Sequence, residues 1–451
     1  MNFDTERYRF EITELEKGGP GGYESTYLTS EGFPVSDGLY DIFAGFDGDF
    51  LAADTRALRH RNGETLVEAL ESESKVGIAS GFKPSGAYHF GHKLTSGTVA
   101  FLQRNGAQVF VPVADIESEM DNKISREQYR FWAADNLMDW GANGVDLDAA
   151  HVYLQSEEYR VNALSYMVAR GMLFQTAVDI YGADKMVDEF PFLFAGVTQV
   201  GDILLPQHAD FGNDHSFMVS GQDQDGHMKM SISLTDSALT NGHNFLGIST
   251  NPSGLYIPHM RGITGKKASS SEADSTVYLG QGPHFEDIET RISRSVKKID
   301  DSLPEQLAVF SLDMVRYMAE FNAQGEVDFT ELTSEPAYKA LVQNLEASTT
   351  SAGAESAVAD IDKFLIENCK DLRQVNEDIV RETLPDFLKA HQKRREDVLR
   401  YALKLAAGDA DATSVRPDFW STPDGARVNP TDSKQSRWYD IVAGSSDRLI
   451  P

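Results

Sequence analysis

The 451-residue chain has only one cysteine, Cys369, which excludes an intramolecular disulfide and a zinc site built from cysteines. No stretch approaches 18 uninterrupted apolar residues, so we expect no transmembrane helix. The first 17 residues are charged and lack the apolar segment of a signal peptide. Together these absences predict a cytosolic protein.

Positive charge is also scarce. The chain has 41 Lys and Arg against 70 Asp and Glu, a net charge of −29, and the carboxylates are spread along it rather than gathered in blocks. One explanation is a surface adapted to concentrated salt, where the Debye length falls to about 3 Å at 1 M and self-repulsion is screened. The other is an ordinary acidic cytosolic protein; we favour the first. In either case we expect no DNA binding, and any RNA binding must use local basic patches, stacking and shape.

Short apolar runs alternate with amphipathic segments from residue 76 onward. Such alternation predicts an α/β fold with a Rossmann-like, doubly wound parallel sheet. The predicted elements are the strand in "KVGIASGF", the helix "GHKLTSGTVAFLQRNG" closed by Gly106, the strand in "AQVFVPVADIES", the helix "SREQYRFWAADNLMDWGANG" and the strand in "AHVYLQSE".

The pattern then becomes mostly helical, which predicts a helical insertion at 158–215 with an irregular stretch at 189–208. A further strand is predicted in "HSFMVSGQDQD", and helices from about 285 to 405. Some helix is expected near "NGETLVEALES" within an N-terminal extension, residues 1–75. The polar tail, residues 406–451, is predicted to be loop or partly ordered.

One strand–turn–helix segment, "SGFKPSGAYHFGH" (80–92), carries the first candidate site. Ligands of parallel sheets bind at the carboxyl ends of strands, near helix N-termini. His89 and His92, spaced i and i+3, lie on one face of the first helical turn and suit developing charge on a phosphate. Two ordinary helix histidines are the alternative. Small residues in the turn let a ligand approach the backbone N–H groups: Gly81, Pro84, Ser85 and Gly86. Gly91, between the histidines, leaves room for a flat ring to pack against the backbone.

The stretch "KPSGAYHFGH" resembles a signature of the class I aminoacyl-tRNA synthetases. His89-Phe90-Gly91-His92 stands where that family has His-Ile-Gly-His. The resemblance implies that this segment binds ATP and stabilises the transition state of amino-acid adenylation.

The family's second signature, Lys-Met-Ser-Lys-Ser, has two candidates in this chain. Lys229 begins a literal K-M-S-x-S, but "MKMSISLTDSAL" is predicted to be a helix packed on the sheet, which cannot also be a flexible loop. The second candidate follows a predicted strand, "GLYIPHM", and has glycines, lysines and serines suited to cradling phosphate. We therefore assign the phosphate-binding loop to Lys267, Ala268, Ser269, Ser270 and Ser271, with Ala268 replacing Met and Lys266 able to share the role.

Within the subfamily that charges tryptophan or tyrosine, "SGQDQDGH" is closer to the tryptophanyl form. The resemblance implies that Gln224 contacts the amino acid, flanked by Asp223 and Asp225, and that "FAGVTQVGDIL" offers Gln199 and Asp202. Glu117 in "VADIES" would accept the indole N–H, a donor-only group.

Three positions keep tyrosine open as the alternative. Ala79 and Pro112 depart from side chains common in the family, and Asp202 would suit a phenol hydroxyl. Hydrogen bonding to a substrate hydroxyl discriminates strongly, so the choice decides the function.

The implied reaction joins L-tryptophan to tRNA(Trp) through tryptophanyl-adenylate, with Mg²⁺ accompanying the ATP, no protein nucleophile and no dedicated metal site. The domains would be a nucleotide-binding catalytic domain at 76–290 and a helical anticodon-binding domain at 291–405. Basic segments 291–298 and 391–396 are candidate tRNA contacts. A homodimer is expected from the family. The competing hypotheses are a synthetase-like paralog that binds nucleotide without charging tRNA, and a cytidylyltransferase-like enzyme, although those domains are generally much shorter.

Overall fold

The structure of the protein is a computed structural model. It describes residues 33–34, 59–72, 74–120, 124–170, 174–181, 190–240, 247–257, 260, 262–263, 268, 276–280, 287–301, 377–422, 426–428 and 437–446. The predictions made for Lys266, Lys267 and Ser269 to Ser271 lie outside these ranges, as does most of the helical region predicted before residue 377.

A seven-stranded sheet in the order β1-β2-β7-β6-β3-β4-β5 forms the centre of the molecule. The five strands from β7 to β5 pair in parallel, which confirms the predicted parallel sheet, and β1 and β2 add an antiparallel edge. The strands are β1 Phe33–Pro34, β2 Arg59–Arg61, β3 Val76–Ala79, β4 Gln108–Val113, β5 His151–Leu154, β6 His215–Gly221 and β7 Ser253–Ile257. All residues of β3, β5 and β7 are buried, as expected of strands covered on both faces.

Helices follow most strands, and two of these helices end just before a glycine, as predicted from the sequence. α2 ends at Arg104, two residues before Gly106, and α4 ends two residues before Gly144; both glycines have positive φ, 103° and 98°. The helices are α1 Gly63–Glu71, α2 Phe90–Arg104, α3 Asp115–Met120, α4 Arg126–Ala142, α5 Tyr159–Ala169, α6 Phe174–Tyr181, α7 Phe190–Leu204, α8 Asp225–Thr240, α9 Ile288–Asp301, α10 Leu384–Ala406 and α11 Trp438–Ala443.

The irregular stretch predicted at 189–208 is wrong over α7, which is a regular 15-residue helix. Gly201, inside this helix, serves helix packing. A Cβ at Gly201 would lie 2.4 Å from Ser165 Oγ and 2.5 Å from the Val161 carbonyl oxygen. The missing side chain therefore lets α7 pack closely against α5.

The polar tail, predicted to be loop or partly ordered, contains a short 3-10 turn, Ala412–Val415, and the helix α11. Two tryptophans bury this segment against α4 and α10. The rings of Trp420 and Trp438 meet edge to face with centroids 5.7 Å apart, and Trp420 Nε1 donates to the Gly141 carbonyl at 2.9 Å. Isolated aromatics in a polar sequence therefore anchor the tail to the core.

Among the described helices, none has both the length and the apolar content needed to cross a bilayer.

We predict that Trp438→Ala lowers the free energy of unfolding by about 3–5 kcal/mol, because it empties a fully packed aromatic site. Trp438 is 1% exposed and its Nε1 donates to Asp148 Oδ1 at 3.0 Å. Urea unfolding followed by tryptophan-independent far-UV circular dichroism measures the change. The control is Tyr166→Ala at a side chain that is 77% exposed, where the effect should stay within about 0.5 kcal/mol. Equal effects at the two positions would contradict the tail's role in the core.

Candidate active site

A cavity of about 490 Å³ opens at the carboxyl edge of the parallel strands. Four of the residues that line it follow four different strands: Gly81 after β3, Ala114 after β4, Gln155 after β5 and Gln224 after β6. The carboxyl ends of parallel strands meet at one edge of a sheet, which is where ligands of such folds bind.

Most of the predicted site residues with described positions line this cavity. They are Gly81, Ser85, His89, Gly91, His92, Glu117, Gln199, Asp202, Asp223, Gln224 and Ala268. Pro84, Gly86, Phe90 and Asp225 are not among its lining residues. The structure therefore brings the histidine segment, the strand ends and one residue of the assigned lysine loop to one place.

The two histidines form the N-terminal cap of α2. Gly91 N–H donates to His89 Nδ1 at 3.1 Å, and His89 N–H donates to His92 Nδ1 at 3.3 Å. The rings stack with centroids 3.8 Å apart. Because both Nδ1 atoms accept hydrogen bonds, each neutral ring carries its proton on Nε2. The cap thus makes both imidazoles hydrogen-bond donors through Nε2, beside the positive end of the helix dipole.

Backbone hydrogen bonds join the histidine segment to the chain after the assigned lysine loop, and join Ala268 of that loop to the chain before it. Leu279 N–H donates to the Tyr88 carbonyl at 3.2 Å, so the segment after the loop pairs with the residues just before α2. Ala268 N–H donates to the Met260 carbonyl at 2.9 Å, and Ala268, 6% exposed, lines the cavity. The chain position next to Lys267 therefore borders the same cavity as His89 and His92.

Lys229 lies on α8, as predicted for the rival lysine motif. It is 7% exposed, and its Nζ lies 3.4 Å from Asp225 Oδ2 in the preceding turn. A buried lysine that is paired within its own helix is not available to bind phosphate, as the lysine of a mobile loop would be.

Asp225 was expected to shape the amino-acid site, but its carboxylate is engaged inside the protein. Arg61 of β2 binds it through Nε at 2.5 Å and Nη2 at 2.7 Å, and Tyr256 Oη donates to it at 2.5 Å. Burial raises the pKa of Asp225, but the hydrogen bonds and charge of Arg61, with the charge of Lys229, outweigh burial and lower it. Asp225 therefore anchors the start of α8, directly after Gln224.

Polar side chains at the other strand ends bond to one another. Gln199 Nε2 donates to Gln224 Oε1 at 2.9 Å. Asp202 accepts from Tyr153 Oη at 2.9 Å and from Gln155 Nε2 at 2.5 Å. Burial is the main cause that raises the pKa of Asp202 well above its ordinary value. Both oxygens of Asp202 thus have partners within the protein.

Sequence reasoning missed several residues of the cavity. They include Lys83, Thr95, Trp140, Gln155, Ser220 and His227. Gln155 had a usable signal, because it directly follows β5 and so lies at the carboxyl edge. Trp140 had none, because it comes from the far end of α4 and reaches the cavity only through tertiary packing. Among the residues that the structure describes, no group of three or more metal-ligating side chains is placed to hold a metal ion.

A buried ionic cluster lies behind the histidines and joins α10 to α4. Arg395 pairs with Asp135 at 2.5 Å and also with Asp139, and His391 Nε2 lies 2.8 Å from Asp139 Oδ1. Burial lowers the pKa of Arg395, but the two carboxylates outweigh it and raise it. The His391 ring also stacks on Tyr88, the residue before the first histidine, with centroids 6.5 Å apart.

The prediction that 391–396 contacts tRNA is accordingly wrong for three of its residues. His391, Arg394 and Arg395 are buried, with exposures of 0%, 5% and 6%. The physical reason is the amphipathic placement of α10, which turns these side chains onto α4. Lys393 remains exposed on the opposite face.

Comparison with known proteins agrees with this site. Residues 71–350 match the family described as class I tRNA synthetases (W and Y). The tryptophan–tRNA ligase of Aeropyrum pernix is 26% identical over 382 residues, covering 80% of this chain and 88% of that protein. The enzyme of the same name from Methanocaldococcus jannaschii is 30% identical over 226 residues, covering 49% of this chain and 59% of that protein.

A solved structure shares the fold. The tryptophanyl-tRNA synthetase of Aeropyrum pernix superposes with a TM-score of 0.56 at 23% identity, covering 85% of this chain and 92% of that chain.

We predict that Arg395→Met destabilises the protein by about 3–5 kcal/mol, since it leaves Asp135 and Asp139 buried without their cation. Thermal unfolding in matched buffers measures the loss. Lys389→Met is the matched control on the same helix: its pair with Asp386 is 66% and 69% exposed, which predicts a change of about 0–1 kcal/mol. A stable Arg395→Met protein would show that the cluster does not hold α10 in place.

Proposed function

Because the chain belongs to the class I tRNA synthetases of the W and Y family, as its match over residues 71–350 shows, we propose that it is a tryptophan–tRNA ligase. It activates L-tryptophan with ATP and transfers the product to tRNA(Trp). One observation carries the proposal: both imidazoles of the histidine motif and Ala268 of the lysine loop border a single cavity at the carboxyl edge. The tryptophan–tRNA ligases among its relatives support the choice of amino acid.

In the first step the tryptophan carboxylate attacks the α-phosphate of ATP and pyrophosphate leaves. His89 and His92 donate through Nε2 to the phosphate oxygens that gain charge, and Lys267 neutralises the leaving pyrophosphate. Mg²⁺ enters with ATP as part of the substrate. In the second step a terminal hydroxyl of the tRNA attacks the adenylate carbonyl, the bond to the phosphate breaks and AMP leaves, so no protein nucleophile is needed.

The hydrogen bonds of Asp202 favour tryptophan over tyrosine. A carboxylate that reads a phenol hydroxyl must have an oxygen directed at the substrate, but Tyr153 and Gln155 already donate to both oxygens of Asp202. A substrate tyrosine would have to displace one of these internal donors. Gln199 and Gln224, paired with each other, then bind the polar end of the amino acid.

For tRNA, exposed cations remain on the two predicted segments. Lys297 on α9 and Lys393 on α10 are exposed and are the proposed contacts. We keep the homodimer and the cytosolic location as predictions from the sequence.

The two lysine motifs provide a direct test. We predict that Lys267→Met lowers the kcat of tryptophan-dependent ATP–pyrophosphate exchange by about 100-fold to 1,000-fold, since it removes a cation that acts on charge formed in the transition state. Lys229→Met should leave kcat within about threefold and lower the melting temperature, because Lys229 is paired with Asp225 inside the fold.

Wild-type protein assayed with each amino acid separates the competing functions. Exchange with tryptophan and not with tyrosine supports the proposal, and exchange with tyrosine alone would replace it. Absence of exchange with every amino acid, despite ATP binding, would indicate a paralog that does not activate amino acids.

We also propose that the protein is adapted to concentrated salt, on the basis of its net charge of −29. Raising KCl from about 0.1 M to about 1 M shortens the Debye length from about 10 Å to about 3 Å and screens this self-repulsion. The melting temperature and the exchange rate should both rise over this range. A melting temperature that is flat or falls would identify an ordinary acidic protein.

A further inference from the structure

Gln155 is a lining residue of the cavity, and one polar atom of its side chain has no hydrogen-bond partner among the described residues. Gln155 directly follows β5, is 1% exposed and lines the cavity. Its Oε1 is buried and accepts no hydrogen bond within the described part of the chain. A buried acceptor left without a donor costs free energy, so its position beside a ligand cavity needs an explanation.

Two carboxylates fix which way the amide faces. Gln155 Nε2 donates to Asp202 Oδ2 at 2.5 Å and lies 3.4 Å from Glu117 Oε1. The nitrogen thus faces both carboxyl groups, and the oxygen faces away from them. Because Glu117 faces the same nitrogen as Asp202, this assignment does not depend on one carboxylate alone.

The backbone around Gln155 is held as firmly as its side chain. Gln155 N–H donates to the Val113 carbonyl at 3.2 Å, which extends the β4–β5 pairing by one residue. Ser156 binds the Asp115 carboxylate through its N–H at 3.1 Å and its Oγ at 2.5 Å. The amide group that carries the acceptor is therefore held in place before a ligand binds.

Two other positions of the lining offer nothing to a donor. Ala79 and Pro112, on the adjacent strands β3 and β4, both line the cavity and have no polar side-chain atom. The carboxyl groups of Asp202 and Glu117 already face Gln155 Nε2, so a ligand group that only donates would find Gln155 Oε1 as an acceptor without an internal partner in the part of the chain that the structure describes. The indole N–H of tryptophan is such a group.

We propose that Gln155 Oε1 accepts the indole N–H of the substrate and makes Gln155 a specificity-determining residue, an inference that rests on the proposed tryptophan-activating function. Glu117 then acts through Gln155, by orienting its amide, instead of meeting the indole itself. Substrates of similar size without a donor leave the oxygen buried and unpaired.

The test compares L-tryptophan with L-3-benzothienylalanine, in which sulfur replaces the indole N–H at nearly the same size. In ATP–pyrophosphate exchange the wild type should prefer tryptophan in kcat/KM by about tenfold to hundredfold. Gln155→Met keeps the volume and removes the acceptor, so this preference should shrink to less than about threefold. The change should fall on tryptophan, with the analogue within about threefold of its wild-type value.

Gln199→Met is the matched control, the same substitution at a glutamine proposed to bind the polar end of the amino acid. It should lower kcat/KM for both substrates equally and leave their ratio unchanged. If Gln155→Met does not fold, Gln155→Asn withdraws the oxygen by one methylene and should reduce the preference partly.

A preference that survives in both Gln155 variants, or a wild type that does not distinguish the two substrates, would overturn the inference while the exchange activity itself stands. If the wild type activates neither substrate, the proposed function fails instead.

Discussion

The parallel pairing of β6, β3, β4 and β5 is the constraint on which the rest of the site depends. Parallel strands leave the sheet at the same edge, so the residues that follow them must meet there, whatever their distance in sequence. Gly81, Glu117, Gln155 and Gln224 come from four separate stretches and line one cavity for this reason. The cap of α2 adds two imidazole donors to that edge, because the turn after β3 leads into α2 and places His89 and His92 on the cavity.

Several of the scarce cations of this acidic protein lie in its interior, where they hold elements of the fold together. Seven Arg and Lys side chains among the described residues are buried: Arg59, Lys93, Arg160, Lys229, Arg291, Arg394 and Arg395. The described residues also bury seven Asp and Glu side chains, so burial removes cations from the surface but leaves its net charge close to the overall balance. Arg395 holds α10 against α4, and Arg291 donates to the Gly280 carbonyl at 2.5 Å behind the histidine segment. Basic runs in such a chain are therefore poor guides to an RNA-binding face.

The parallel sheet, the helix stops at Gly106 and Gly144, and the location of the site could all be predicted from local patterns, since strand burial and positive-φ glycines are decided over a few residues. The helix α7 could not be predicted in this way, because the need for a glycine at position 201 arises from its contacts with Val161 and Ser165 on another helix. Partial order in the tail was expected, but its packing could not be predicted, because Trp420 and Trp438 bond to Gly141 and Asp148, which lie more than 250 residues away. The burial of Arg395 could not be predicted for the same reason. Its position on α10 shows which residues lie on the same face of the helix, but not which element covers that face.

Position in sequence locates polar residues at the site, but their hydrogen bonds determine what each can do there. Asp225 follows Gln224 directly and looked equally suited to the substrate, yet Arg61, Lys229 and Tyr256 occupy its carboxylate. Asp202 borders the cavity with both oxygens already accepting, so it can orient a neighbour more readily than it can bind a ligand. Gln155, which has no place in the sequence signatures, differs from both in having its donor side engaged and its acceptor side without a partner in the described structure. A side chain with one polar atom bonded inside the protein and the other without a partner is therefore suited to bind a substrate. Side chains whose polar atoms are all bonded inside the protein instead hold the site in position.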